Sequence, residues 1–329
     1  MGDEQYGQIQ KYQYEAGFSG EEEKIENNIK QLDGVTGTLS CSACRCDLTG
    51  AGGTMNTMAV YAFENNSAVS DFWSLKDSRT KTGLDFPGQG EALINEKIAE
   101  KLGLSDGDTF DIQDADMNTF SVRVAGIFEN RVDNFVLLSA DTLKATAGSF
   151  APNTILVQAD PFVANILPDQ LMSTDEISGV TNLLATKEKI DRTLSCVDYI
   201  VALMVLFSGA LAFIVIFNLT NINIEERSRE IATVEVLGFY PAETNAYVLR
   251  ENLLSAVLSA LIGLPIGYVF HSAVMHMIVV DTMVFDIRIQ PLSYVLSVFF
   301  TILFALLVDL FMRREIRKIP MAESLKAVE

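Results

Sequence analysis

Three long apolar runs dominate the second part of the chain: Val197–Leu219, Leu253–Val274 and Leu292–Met312. A bilayer core takes about 20 apolar residues at a rise of about 1.5 Å each. Each run therefore predicts a membrane-spanning helix, with spans near 197–219, 252–274 and 291–312. Between the first two lies a charged stretch, NINIEERSREIATVEVLG, from Asn221 to Gly238. Its position between two spans predicts a loop held at a membrane surface.

The pattern before residue 175 is different. Loose alternation predicts strands over Gln8–Phe18, Val35–Leu48 and Met55–Phe63. Thr109–Gln113 and Thr119–Phe128 predict a hairpin around an Asp/Asn-rich turn, and Phe135–Leu138 and Thr154–Gln158 predict further short strands. Ser19 followed by three glutamates predicts a helix start, with the helix running to about Leu32. Ala92–Leu102 reads as an amphipathic helix stopped by Gly103. Such a mixture predicts an α+β domain over residues 1–174. In Asp175–Ser195 the residues Ile177, Val180, Leu184, Ile190 and Leu194 recur at roughly helical spacing, predicting an amphipathic stalk helix over 175–196. A linker helix lying on the membrane is the alternative. Residues 197–329 then form an α-helical membrane domain, with a cytoplasmic loop at 220–251 and a cytoplasmic tail at 313–329.

Charge sharpens the division. Residues 1–196 hold 15 Lys+Arg against 30 Asp+Glu, a balance of −15; residues 197–329 hold 9 against 13, a balance of −4. The first part is large and polar enough for a core of its own. Its acidity argues against a nucleic-acid partner, which would require a basic face. Arg227, Arg229 and Arg250 lie between the first two spans, and Arg313, Arg314, Arg317, Lys318 and Lys326 follow the third, whereas Met275–Pro291 holds only Arg288. Positive residues stay on the cytoplasmic side. The loop and C-terminus are thus expected in the cytoplasm and residues 1–196 outside, in a multi-pass plasma-membrane protein. The start MGDEQYGQIQ contains no apolar export segment, so a preceding membrane segment or a split gene is expected.

The loop between the first two spans predicts a short amphipathic helix. From Glu225 to Leu237 the helical spacing puts Ile231, Val234 and Leu237 on one face, with Glu226, Arg227, Arg229, Glu230 and Glu235 available to a partner. Gly238 is expected to end this helix in the left-handed conformation, ahead of Phe239. A solvated turn with interfacial arginines is the plainer alternative. In the second span, GLPIG places Gly263 and Gly267 on one face, allowing another helix to approach closely, and Pro265 removes a backbone hydrogen bond between them.

No Gly-x4-Gly-Lys-Ser/Thr loop occurs, so no P-loop nucleotide site is expected, and no cofactor or catalytic group stands out. His271 and His276 are badly spaced for two ligands on one helix face. Cys41, Cys44 and Cys46 are read as structural or incidental: they make an incomplete zinc set without a nearby His, and a Cys41–Cys46 disulfide is the alternative. Asp111, Asp114 and Asp116 suggest a calcium loop, but Thr119 stands where that loop requires Gly and Ala125 where it requires Glu. The hairpin turn is preferred. Asp309 in the last span lies one turn from Arg313 and is read as a pairing or snorkelling group.

The segment FNLTNINIEERSREIATVEVLGFYPAETNAYVLREN, Phe217–Asn252, resembles the FtsX-like permease family, the membrane subunits of MacB-type ABC transporters. The resemblance rests on Arg227, Arg229, Glu230, Ile231 and Ala232, then on Leu237, Gly238, Phe239 and Tyr240, and on Arg250, Glu251 and Asn252. The tail LFMRREIRKIPMAESLKAVE and the stretch VVDTMVF are similar to the end of large two-ectodomain Gram-positive members. LINEKIAEKLGLSDGDTFDI and FSVRVAGIFEN resemble their outer-domain elements. The resemblance implies a MacB-like periplasmic core domain followed by the last three spans of a ten-span permease. It further implies an ABC-type ATPase on a separate chain, contacting Glu226 to Phe239, and the remaining permease half or a second copy as membrane partner. Glu235 departs from the family, where Lys or Arg is usual. The implied role is to couple ATP hydrolysis to movement of the outer domain, for export, lipoprotein or peptide handling, or mechanotransmission. A membrane-anchored extracellular binding or sensor module is the alternative.

Overall fold

A computed structural model describes residues 2–64, 66–148, 150–160, 166–174, 176–227, 230, 233, 237–238, 241–277 and 289–316. The chain divides between Leu194 and Ser195 into two compact units.

The first unit contains nine strands: β1 (Tyr14–Phe18), β2 (Val35–Gly50), β3 (Gly53–Phe63), β4 (Glu91–Asn95), β5 (Thr109–Gln113), β6 (Thr119–Phe128), β7 (Phe135–Ser139), β8 (Thr154–Ala159) and β9 (Ile177–Asn182). Their order is β3-β7-β4-β6-β5-β2-β8-β1-β9, and β3 also pairs with β2. Six strands thus form a closed ring, from β2 through β3, β7, β4, β6 and β5 back to β2. The length of β2 makes this work. Its first half pairs with β8, its end with β5, and Cys41–Gly50 with β3. Helices α1 (Glu22–Lys30), α2 (Glu96–Leu102), α3 (Ala140–Ala147) and α4 (Leu167–Met172) connect or cover the strands.

Alternation along the strands fills three cores. Val60 and Ala62 of β3, Ile94 of β4, Ile112 of β5 and Val136 and Leu138 of β7 pack with Ile98 and Leu102 of α2. The intervening Tyr61, Phe63, Leu93, Phe135 and Leu137 join Tyr12, Trp73 and Phe128 in an aromatic core. Tyr14, Ala16 and Phe18 of β1 pack with Ile25 and Ile29 of α1 and Ile155 and Val157 of β8. Strands buried on both faces read as unbroken apolar runs.

That explains the main departures from the expected elements. Residues 92–95 form the strand β4, and the helix begins only at Glu96, because Ala92–Ile94 are buried between β6 and β7. Residues 177–182, expected as part of the stalk helix, are the strand β9 on the edge of β1. Ile177 and Val180 pack on the core of β1 and α1, and helix starts at Leu183. The expected strand from Gln8 is a strand only from Tyr14; Gln5–Ile9 is a π-helical turn. Buried Gln5 accepts from the backbone of Arg131 (2.8 Å) and Val132 (3.2 Å), which curls this segment onto a distant loop. Helix α1 is preceded by Glu21 without a side-chain cap, and the Ser19 N–H instead donates to Glu176 O.

The predicted hairpin of β5 and β6 is present. Asp114 Oδ1 accepts from the backbone N–H of Asp116 (2.9 Å) and Asn118 (2.8 Å), and Oδ2 from Asn118 Nδ2 (3.0 Å). These bonds, the Asn118 side chain first, hold the Asp114 carboxyl below its ordinary 3.8. A depressed carboxylate stabilises the fold above its unfolded pKa and loses that contribution as pH falls through the folded value. Asp114→Ala should therefore lower the thermal midpoint at about pH 7, and the gap from the parent should narrow as pH falls through the lowered folded value. Midpoints followed from neutral to acid pH check this; a gap independent of pH would sink it.

The second unit contains the helices long and apolar enough to cross a membrane, over Leu183–Glu226, Leu253–Met275 and Pro291–Phe311. The full helices are α5 (Leu183–Glu226), α6 (Pro241–Met277) and α7 (Pro291–Ile316). Helix α5 begins in the first unit.

Candidate functional site

The first part of the charged stretch, Asn221–Glu226, is the end of α5, which therefore runs past the expected span. The Arg227 N–H continues helical bonding to Asn223 O at 3.1 Å. Further on, Glu230 and Thr233 are helical, and the Leu237 N–H donates to Thr233 O at 3.1 Å. Gly238 follows at φ +98°, where a side chain would be strained. Leu237, the described residue of the expected apolar face, is 74% exposed among the described residues. Arg229, Ile231, Val234, Glu235 and Phe239 lie outside the described residues.

In the membrane helices, α6 continues through Pro265. Side chains added at Gly263 or Gly267 would meet nothing within 4 Å among the described residues. That face is open among the described residues. The close glycine contact is elsewhere: a Cβ at Gly209 of α5 would run into the Phe304 ring of α7. Phe213 and Phe311 meet edge to face at 5.6 Å, and Ile224 and Val308 are buried in the same cluster. Gly209 could have been found from the SGALA run within the first span, where small residues permit close helix approach. Asp309 is 6% exposed; of the two expected readings this speaks against snorkelling and leaves pairing.

The cysteines separate. Cys41 is buried in the aromatic core and Cys46 in the core of α2, on opposite faces of β2. Strand alternation thus excludes the Cys41–Cys46 disulfide and a three-thiol metal set. Cys44 and Cys46 share a face, with sulfurs 3.4 Å apart. The hydrogen bond from Cys46 lowers the Cys44 thiol pKa, and burial raises that of Cys41.

The first unit also holds a partly open cavity of about 320 Å³. Glu15 of β1, Arg45 of β2, Thr57 and Tyr61 of β3, and Asp133 and Phe135 at the start of β7 line it. Half-buried Glu15 accepts through Oε1 from Tyr12 Oη (2.9 Å) and Tyr61 Oη (3.2 Å). Burial raises the carboxyl pKa of Glu15 and of Asp133. Nothing in the local sequence marked these residues. They are far apart along the chain, and only strand pairing brings them together.

Residues 202–321 match the FtsX-like permease C-terminal family, and residues 2–165 match the MacB-like periplasmic core domain. Among solved structures, the chain is similar to the periplasmic region of MacB from Actinobacillus actinomycetemcomitans. That match has 11% identity and a TM-score of 0.35, over 56% of this chain and 94% of that one. It is also similar to the extracellular domain of the noncanonic ABC-type transporter YknZ from Gram-positive bacteria. Here identity is 18% and the TM-score 0.33, over 51% of this chain and 98% of that one. No curated protein matches.

Proposed function

Because this chain belongs to the FtsX/MacB-type ABC-transporter permeases, we propose that it is a non-catalytic subunit that couples ATP hydrolysis on a separate chain to movement of its extracytoplasmic domain. The observation that carries this reading is the short charged segment 227–240, tied at both ends to helices able to cross a membrane. A segment held at both ends transmits displacement. The placement of Arg227, Arg229 and the basic tail supports a cytoplasmic position for both and an outside position for residues 1–196. Glu226, Arg227, Arg229, Glu230 and Glu235 would supply the charged contacts to the ATPase. Ile231, Val234, Leu237 and Phe239 would supply the apolar ones, and Gly238 the turn that ends the lever. The open face at Gly263 and Gly267 of α6 suits close approach by the remaining permease half or a second copy, with lipid covering the rest. The work delivered outside would serve export, handling of lipoproteins or peptides, or mechanotransmission.

Joint replacement of Arg229 and Glu230 by Ala should abolish stimulation of the ATPase while leaving the outer domain folded. Exposed substitutions of this kind change stability by only about 0.5 kcal/mol. Gly238→Val should act alike, by straining a left-handed backbone position. The measurement is ATPase turnover with and without the permease, with assembly followed by pull-down. If both variants assemble and stimulate like the parent, the coupling role lies outside this loop.

A further inference from the structure

The cavity in the first unit has an unusual distribution of charge. Two carboxylates, Glu15 and Asp133, and one guanidinium, Arg45, line it together with Tyr6, Tyr61, Phe135 and Leu183. No ion pair joins Arg45 to either acid among the described residues; its Nη1 donates to Thr57 O at 3.3 Å. The phenols of Tyr12 and Tyr61 converge on Oε1 of Glu15, and Oε2 accepts no hydrogen bond among the described residues. The Asp133 carboxylate likewise accepts none there, although the backbone carbonyl of Asp133 is used twice.

The backbone around the cavity is also held in an uncommon state. Thr57 and Asp133 both have φ +63°. For a β-branched residue such as Thr57 this is a true outlier, and such positions cost about 1–3 kcal/mol each. The irregular register between Cys46 and Leu48 of β2 accompanies it, with the Thr57 N–H donating to Asp47 Oδ1 at 2.8 Å. Strain of this kind persists where surrounding structure enforces it, and it gathers at ligand sites. A purely structural acceptor for two phenols would need no charge, since a neutral amide would serve without the desolvation cost.

We propose that this cavity binds a small zwitterion of amino-acid type, its ammonium against Glu15 and Asp133, its carboxylate against Arg45, and its apolar part against Tyr6, Tyr61 and Phe135. The charge set selects this class. An anion would meet two carboxylates, and a dication would meet Arg45. The volume of about 320 Å³ is at the small end of ligand pockets. An ammonium placed between the acids would supply the donor that Glu15 Oε2 and the Asp133 carboxylate lack. Binding would also depend on pH, because burial raises both carboxyl pKa values. The ionised forms hold the ammonium, so affinity falls as pH drops through those raised values. Tyr6, Tyr12, Tyr61 and Cys41 also face them, and burial raises each of their pKa values, away from that range.

The test is titration calorimetry on the full chain in lipid nanodiscs with L-leucine, n-pentylamine, isocaproate and the tripeptide Leu-Gly-Gly. L-leucine is expected to bind saturably, with pentylamine and isocaproate at least about tenfold weaker, the order set by one charge-assisted hydrogen bond. Glu15→Gln and Arg45→Met should each weaken leucine by a similar factor. The ligand panel on the parent chain decides the matter even if a variant misfolds. No saturable heat with leucine, or equal binding of isocaproate, would overturn the proposal. So would binding of Leu-Gly-Gly in place of leucine, because the second charge would then lie beyond Arg45. ATPase coupling plays no part in the measurement, so its outcome is independent of the loop.

Discussion

Replacing Trp73 with Ala should destabilise the extracytoplasmic domain by about 3–5 kcal/mol, the range for deleting a large aromatic from a packed core. Trp73 is 1% exposed. Its ring lies 5.8 Å from Tyr12, 6.1 Å from Tyr61, 6.4 Å from Phe128 and 5.1 Å from Phe135. These residues come from β1's approach, β3, β6 and β7, so one side chain joins elements on several sides of the ring of strands. A cavity there loses contact on every side at once, and well-packed neighbours relax only partly to fill it. Trp73→Phe should cost much less. It keeps a ring in place and removes an indole N–H that is buried without a hydrogen-bond partner among the described residues. Amide hydrogen exchange in β3 and β7 measures the loss. Equal protection in Trp73→Ala and the parent would show that the aromatic cluster does not hold these strands together. Trp73 is the chain's single tryptophan, so its fluorescence reports unfolding of this core in the parent.

Gly52→Ala should be the next most damaging change, at the upper end of the roughly 1–3 kcal/mol typical of overpacking. Gly52 sits at the tip between β2 and β3, where its N–H donates to Leu102 O at 2.7 Å. A Cβ there would lie 2.7 Å from Lys101 O and 2.8 Å from Leu102 C. Both are backbone atoms at the end of α2, so no rotamer change relieves the clash. Gly103 at φ +65° ends α2 in the left-handed conformation and fixes that backbone further. The tip must therefore leave the helix, breaking the bond and uncovering Leu102 and Leu104. Denaturant midpoints test this. A Gly52→Ala chain as stable as the parent would mean the tip does not rest on α2.

These two sites differ in how far the local sequence reveals them. A helix stop at Gly103 is readable because a glycine after an amphipathic run has one common use. The β5–β6 turn is readable for the same reason: Asp114 and Asn118 satisfy backbone groups within their own turn. The packing of Gly52 against α2 is not readable, since about fifty residues separate the partners and only the folded ring brings them together. Gly263 and Gly267 show a different limit of local sequence. Their spacing suits close helix contact, but among the described residues the close glycine contact is made by Gly209, because which helix meets which depends on the whole bundle.

The sequence by itself determined the division into an acidic outer domain and a membrane part, the approximate spans, and the presence of a charged loop between two of them. Those features follow from the cost of placing polar groups in hydrocarbon, which each segment meets alone. Only the tertiary structure decided that residues 92–95 and 177–182 are strands, that Cys41 and Cys46 face opposite cores, and that Glu15, Arg45 and Asp133 line one cavity. A short apolar run suits a buried strand and a helix equally well. The choice between them is made by partners distant along the chain, whose backbone groups must be paired once water is excluded.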